Sequence, residues 1–137
     1  MLRPPAVVIH GLPDARTALA PGFPVTLLSA SGAALFGGCL WWREVVARAR
    51  AESPGVAVHD VLDCADASGQ AMAALRIGVV HLVLWQEAPG WDAVAAIARS
   101  QGGEVLAEPP PALDLADSRA GRRLRDWLGR DTGNGVA

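Results

Sequence analysis

The chain has 137 residues, of which 51% are hydrophobic and 19% charged, and its formal net charge is −2. This composition excludes a disordered chain, which combines low hydrophobicity with high net charge. It also argues against a strongly basic nucleic-acid-binding protein. The length is that of one domain with a sizeable core.

The first half of the chain alternates apolar runs with helical segments, separated by Gly, Pro and Ser. Ser31 is a candidate N-cap of the longest helix, and Ser53, Pro54 and Gly55 mark its end. In chain order we predict a strand at residues 6–10, a helix at 12–20, a strand at 24–28, a helix at 33–52 and a strand at 56–62.

The second half continues the alternation after a polar loop. Three consecutive prolines then form an extended linker before a last amphipathic helix. We predict the loop at residues 63–69, a helix at 70–77, a strand at 79–85, a helix at 91–100, a strand at 104–107 and the last helix at 113–128.

Strands that alternate with helices and are apolar without a polar face predict an α/β fold. We expect a single three-layer domain with a mainly parallel five-stranded sheet and helices on both faces. The boundaries are an α/β domain at residues 1–108, a proline linker at 109–111, a C-terminal docking helix at 112–129 and a flexible tail at 130–137.

Ligands of open parallel sheets bind at the carboxyl ends of the strands. The turn at Ser29, Ser31 and Gly32 precedes a helix, whose N-terminus attracts anions. It lacks the glycine patterns of nucleotide-binding loops, and a simple N-cap with a packing glycine is the alternative. The candidate ligand-binding residues are Gly11, Ser29, Ser31, Gly32, Asp63, Asp66, Ser68 and Gly69.

Cys64 lies in the polar loop and is a candidate catalytic nucleophile, with His10 as a candidate base on a neighbouring strand. From Cys64 through Gly69 into the Ala-rich helix, the segment resembles rhodanese-type loops, although its Cys-to-Gly spacing is longer and it contains no Arg. The alternative is an inert buried cysteine, because Asp63 and Asp66 would raise the pKa of the thiol.

Asp63 and Asp66 also offer a second enzyme hypothesis, in which they hold a divalent metal. Loop and helix capping is the commoner role of such residues. The three histidines and two cysteines lack the spacing of zinc ligands or a C-x-x-C motif. We therefore predict neither a resident metal nor a cofactor.

The segment from Thr17 to Trp42 has no charged residue and is long enough to span a bilayer. Its density of Gly, Pro and Ser favours a strand, a turn and a buried helix instead, and with no evident signal peptide we expect a cytoplasmic protein. The helix is apolar on all sides as far as Trp41 and Trp42, which we predict to lie in a homodimer interface. A helix buried within one chain is the alternative.

These observations favour a homo-oligomer that binds a small anionic ligand at the carboxyl edge of its sheet, without nucleic acid or membrane as partners. An enzyme that uses Cys64, or Asp63 and Asp66 with a metal, is the second hypothesis. A protein-interaction module without a small-molecule site is the third.

Overall fold

A computed structural model describes residues 3–130, so residues 131–137 of the predicted flexible tail lie outside the described residues. The strands are β1 (Ala6–Ile9), β2 (Val25–Ser29), β3 (Val58–Asp63), β4 (His81–Val83), β5 (Glu104–Leu106) and β6 (Ala112–Asp114). The helices are α1 (Leu12–Leu19), α2 (Ala33–Phe36), α3 (Gly38–Glu52), α4 (Ser68–Arg76), α5 (Trp91–Ser100) and α6 (Ala120–Leu128).

The strands form one sheet in which all six run parallel, in the order β5-β4-β3-β2-β1-β6. The predicted α/β class with a mainly parallel sheet is therefore confirmed, with one strand more than the sequence indicated. Consecutive strands from β1 to β5 are neighbours, whereas β6 pairs with β1, which precedes it by more than a hundred residues in the chain.

The additional strand lies where the sequence predicted the start of the last helix. Ala112, Leu113 and Asp114 pair with β1, and the helix begins only at Ala120. Three prolines hold the preceding backbone extended. Burial of Leu113 then stabilises the continuation of this extended segment as a strand. The prediction of one helix over residues 112–129 is thus wrong for its first eight residues.

The long helix predicted over residues 33–52 is interrupted after one turn. Gly38 has a φ of +80°, a left-handed conformation that glycine adopts without steric penalty, and it separates α2 from α3. The ring of Trp41 packs over Gly37 so closely that a Cβ at that position would lie 2.6 Å from Trp41 Cε3. The pair Gly37-Gly38 therefore ends one helix and makes room for the next.

Contacts divide the described residues into two compact units. The first comprises residues 3–28, 45–60 and 110–130. In it α1 packs against β1 and α6 against β6. Its buried core consists of Val7, Ile9, Leu19, Val25, Leu27, Val46, Leu113, Leu124 and Leu128.

The second unit comprises residues 29–44 and 61–109. Here α4 packs against α2 and α5, and α5 packs against β5. Its core consists of Trp42, Leu62, Leu75, Leu82, Leu84, Val94 and several small alanines. Within residues 3–130, no helix combines the length and the apolar character needed to cross a membrane.

Candidate functional site

Three of the predicted ligand-binding residues meet in a closed hydrogen-bond network. Asp63 ends β3 and is 2% exposed, and its Oδ1 accepts hydrogen bonds from the backbone N–H groups of Gly32 (3.1 Å) and Ala65 (2.8 Å). The N–H of Asp63 donates to Ser29 Oγ (2.8 Å), and the Ser29 hydroxyl donates to the carbonyl of Ala30. These three residues lie together, as their positions at the carboxyl ends of neighbouring strands predicted. Their hydrogen bonds are made to one another.

The Asp63 carboxylate occupies the position that the sequence analysis assigned to an external anion. It takes the N–H of Gly32 at the start of α2, a helix of only four residues. A buried negative charge at that point repels a second anion. Ala65 has a φ of +51°. Its N–H donates to Asp63 Oδ1 and its carbonyl accepts the N–H of Trp85, so these two hydrogen bonds hold the loop in that conformation around the internal carboxylate.

Cys64 is fully buried in the second unit. Burial first, then repulsion from the Asp63 carboxylate and from Cys39, raises the pKa of the Cys64 thiol from 9.0 to about 12. The thiolate is the nucleophilic form of cysteine, so this environment keeps Cys64 in its unreactive state near neutral pH. The geometry therefore gives no support to the nucleophile hypothesis.

The remaining residues of the polar loop have separate environments. Ser68 is the first residue of α4, and its hydroxyl donates to the carbonyl of Pro89. Asp66, Gly69 and Ser31 are exposed, and none of them belongs to the hydrogen-bond network around Asp63 described for Ser29 and Gly32. Among the residues that the structure describes, no group of three His, Cys, Asp or Glu side chains is placed to hold a metal ion.

His10 lies in the first unit, at the carboxyl end of β1, and its ring is bound to a partner that the sequence analysis missed. Its Nε2–H donates to Asp114 Oδ1 (2.7 Å), at the carboxyl end of the neighbouring β6. Burial alone would raise the pKa of Asp114, but hydrogen bonds from the His10 ring and the Ala116 N–H, with a smaller electrostatic contribution of His10, leave it lowered. Gly11 begins α1 with an extended backbone that any residue can adopt.

The two tryptophans of the predicted interface have different environments. Trp42 is fully buried, and Trp41 is half-buried, with its ring centroid 6.0 Å from that of Trp42. The large apolar side chains on this segment that face solvent are Leu35, Phe36 and Leu40, exposed by 50%, 87% and 57%. The helix break at Gly37 and Gly38 interrupts the helical periodicity, so the apolar faces of α2 and α3 do not form one continuous stripe.

A cavity of about 390 Å³ lies in the first unit, at the opposite ends of the strands from His10. It is formed where β1, β2 and β6 begin and where α6 ends. This volume is within the range of small-molecule sites, roughly 300–1,000 Å³. Its lining residues are Arg3, Pro4, Pro5, Ala6, Thr26, Pro110, Pro111, Trp127 and Arg130.

The polar groups of the cavity wall are largely bonded to each other. The hydroxyl of Thr26 donates to the Pro4 carbonyl (2.8 Å), and its N–H donates to the Pro5 carbonyl (2.9 Å). The indole Nε1–H of Trp127 donates to the Ala6 carbonyl (2.7 Å), which fastens α6 to β1. The four lining prolines have no N–H to offer.

Among residues 3–130, the charged side chains that line the cavity are those of Arg3 and Arg130, and no Asp or Glu of this range lines it. The guanidinium of Arg130 lies over the Trp127 ring, 4.3 Å from its centroid, in a cation–π contact. One feature of the sequence indicates this site: Pro4-Pro5 and the three later prolines each precede a strand. Only the pairing of β1 with β6 brings the two proline segments together.

The comparisons with known proteins add no assignment. No protein-family model matches the chain, and no curated protein has a matching sequence. The cavity, the internal Asp63 network and the His10–Asp114 pair are therefore the observations on which a functional conclusion depends.

Proposed function

We propose that this protein binds a small organic anion in the cavity of the first unit. The observation that carries the proposal is the presence of two guanidinium groups, those of Arg3 and Arg130, in a cavity that no carboxylate of residues 3–130 lines. The ligand class is the one expected from the sequence, but the site differs, because Asp63 already fills the position at the carboxyl edge.

Titration calorimetry with benzoate and with inorganic phosphate tests this proposal on wild-type protein and on Arg130→Gln. Charge-assisted hydrogen bonds contribute roughly 1.5–3 kcal/mol, so Arg130→Gln is expected to weaken binding by about tenfold or more. Arg123→Gln is the matched control, because Arg123 is an exposed arginine of α6, the helix that precedes Arg130, and does not line the cavity. Equal weakening by both variants, or no binding of either anion to wild type, would contradict the proposal.

Self-association through the exposed apolar residues of α2 and α3 is a second candidate function. Leu35, Phe36 and Leu40 are large, apolar and accessible, and the segment from Ser31 to Trp42 contains no charge. Two copies can therefore meet about a two-fold axis without like-charge repulsion. A standard interface buries about 800 Å² of each partner, which is more than three side chains supply. Leu35, Phe36 and Leu40 would therefore form the centre of the interface, with Phe36 in place of Trp42 as the anchor.

Light scattering coupled to size-exclusion chromatography tests the homodimer. We expect wild type to show twice the 14.2 kDa of one chain and Phe36→Asp to shift towards the monomer. Trp85→Ser is the control, because it removes a large, partly exposed apolar side chain elsewhere in the same unit. A wild-type protein that stays monomeric over the accessible concentrations would refute self-association.

The enzyme hypotheses and the cytoplasmic location stay predictions. Cys64 is buried and its pKa is raised, and Asp63 has used Oδ1 to bind backbone N–H groups. These contacts favour a structural role for both residues, which is why we place binding ahead of catalysis.

A further inference from the structure

The cavity of the first unit restricts the class of anion that fits it, an argument that rests on the proposed function above. Its walls are made of proline rings, the Ala6 methyl group and the Trp127 indole. The carbonyls of Pro4, Pro5 and Ala6 already accept hydrogen bonds from Thr26 and Trp127. A hydroxyl group of a ligand placed against the proline rings, the Ala6 methyl group or the face of the indole would lose its water without gaining a hydrogen bond there, which costs free energy.

The polar end of a ligand is restricted by the same residues. Arg130 offers a planar guanidinium that lies over the Trp127 ring, 4.3 Å from its centroid. Such a group binds a carboxylate through two parallel hydrogen bonds. Apart from Arg3 and Thr26, the other lining residues are proline, alanine and tryptophan, so we expect the charge of the ligand to be concentrated at one end.

From this division we infer that the ligand is a small monocarboxylate with an apolar ring or acyl body. Its carboxylate binds at Arg130, with Arg3 contributing positive potential, and its body packs against the proline walls and Trp127. Polyhydroxylated phosphates would pair with the arginines but would place hydroxyl groups against the apolar walls. Neutral apolar molecules would pack against the walls but would leave the arginines without an anion.

A panel of three ligand pairs tests the inference on the full chain. Benzoate and hexanoate have both features, benzamide and hexanamide lack the charge, and glycerol 3-phosphate and inorganic phosphate lack the apolar body. Affinity is measured by calorimetry, and occupancy of the cavity is followed by the indole N–H resonance of Trp127, assigned with Trp127→Phe.

We expect the carboxylates to bind at least tenfold more tightly than either other pair, since one charge-assisted hydrogen bond alone is worth about that factor, and to shift the Trp127 resonance. If the phosphates bind more tightly than the carboxylates, the monocarboxylate class is overturned and the anion site stands. If the amides bind as well as the acids, or no ligand binds, the anion site itself is overturned.

Arg130→Lys separates the geometry of the head group from its charge. Lysine keeps the charge but lacks the planar fork, so we expect a loss of carboxylate affinity smaller than that of Arg130→Gln. Arg123→Lys is the control, and circular dichroism confirms that the variants fold. An Arg130→Lys protein that binds carboxylates as tightly as wild type would overturn the bidentate contact.

Discussion

At the scale of single residues, Asp63 determines what the carboxyl edge can do. One oxygen of its side chain accepts two backbone N–H bonds in a buried position, where each unpaired group would cost roughly 1–3 kcal/mol. The residue therefore stabilises the loop that holds Cys64, and its charge raises the pKa of that thiol. The same carboxylate that suggested an anion or metal site binds backbone N–H groups of its own chain through Oδ1.

Cys64 provides a prediction about alkaline pH. Its pKa is higher in the folded chain than in the unfolded chain, so its contribution to stability is complete below 9.0 and is lost as the pH rises towards about 12. All twelve Lys or Arg positions are Arg and Tyr is absent, so no lysine or tyrosine side chain contributes to the pH dependence in this window. We expect the free energy of unfolding to fall by about 2 kcal/mol between roughly pH 8.5 and pH 10.5.

Urea unfolding at both pH values measures this loss in wild type, Cys64→Ala and Cys39→Ala. Cys64→Ala removes the titrating group and is expected to flatten the dependence, whereas Cys39→Ala, at a half-buried position, is expected to retain most of it. An unchanged slope in Cys64→Ala would show that the thiol is not the cause.

At the scale of elements, two glycines are required by close packing and not by turn geometry. Trp41 packs over Gly37 at the α2–α3 junction. A Cβ at Gly103 would clash with the backbone carbonyl of Val80, at the point where β5 joins β4. Backbone atoms at that point cannot move aside, because the Val80 carbonyl also accepts the N–H of Glu104 (2.9 Å).

Gly103→Ala is therefore expected to destabilise the chain by several kcal/mol, since backbone must shift and ladder hydrogen bonds weaken, effects of about 1–3 kcal/mol each. Gly55→Ala is the matched control, because nothing lies within 4 Å of its Cβ position. Denaturant midpoints measure both variants. Equal stabilities of the two would contradict the close approach of β5 to β4.

At the scale of the whole molecule, the β1–β6 pair has functional consequences at both of its ends. At the carboxyl end it brings Asp114 to His10, and at the amino end it brings Pro110 and Pro111 to the cavity that Pro4 and Pro5 also line. The indole of Trp127 then binds Ala6 across this pair. One long-range strand pairing thus builds the candidate ligand site and brings the His10 ring to the Asp114 carboxylate.

The acid stability of the chain follows from two carboxylates in this unit. Hydrogen bonding to Arg16 lowers the pKa of Glu52, and His10 with the Ala116 N–H outweighs burial to lower that of Asp114. Both groups bind protons more weakly when folded, so they contribute stability above their unfolded pKa values, about 3.9–4.3, which is lost as the pH falls through their folded values.

Unfolding of wild type and of the Glu52→Gln/Asp114→Asn variant measures this contribution across the acid range. We expect the variant to be less stable near neutral pH and its stability to decline less steeply on acidification. Parallel curves for the two proteins would show that these carboxylates do not cause the acid sensitivity.

The sequence by itself determined the α/β class, the parallel sheet and most of the elements, because apolar runs, helical periodicity and Gly or Pro boundaries are local signals. It also placed Ser29, Gly32 and Asp63 together correctly, since carboxyl ends of parallel strands share an edge. Only the tertiary structure decided that Asp63 satisfies that site internally, that residues 112–114 form a strand and that a cavity opens at the amino ends. Those outcomes depend on burial and on hydrogen bonds between segments that are distant in the chain, 31 residues apart for Gly32 and Asp63 and more than a hundred for β1 and β6, which no local pattern records.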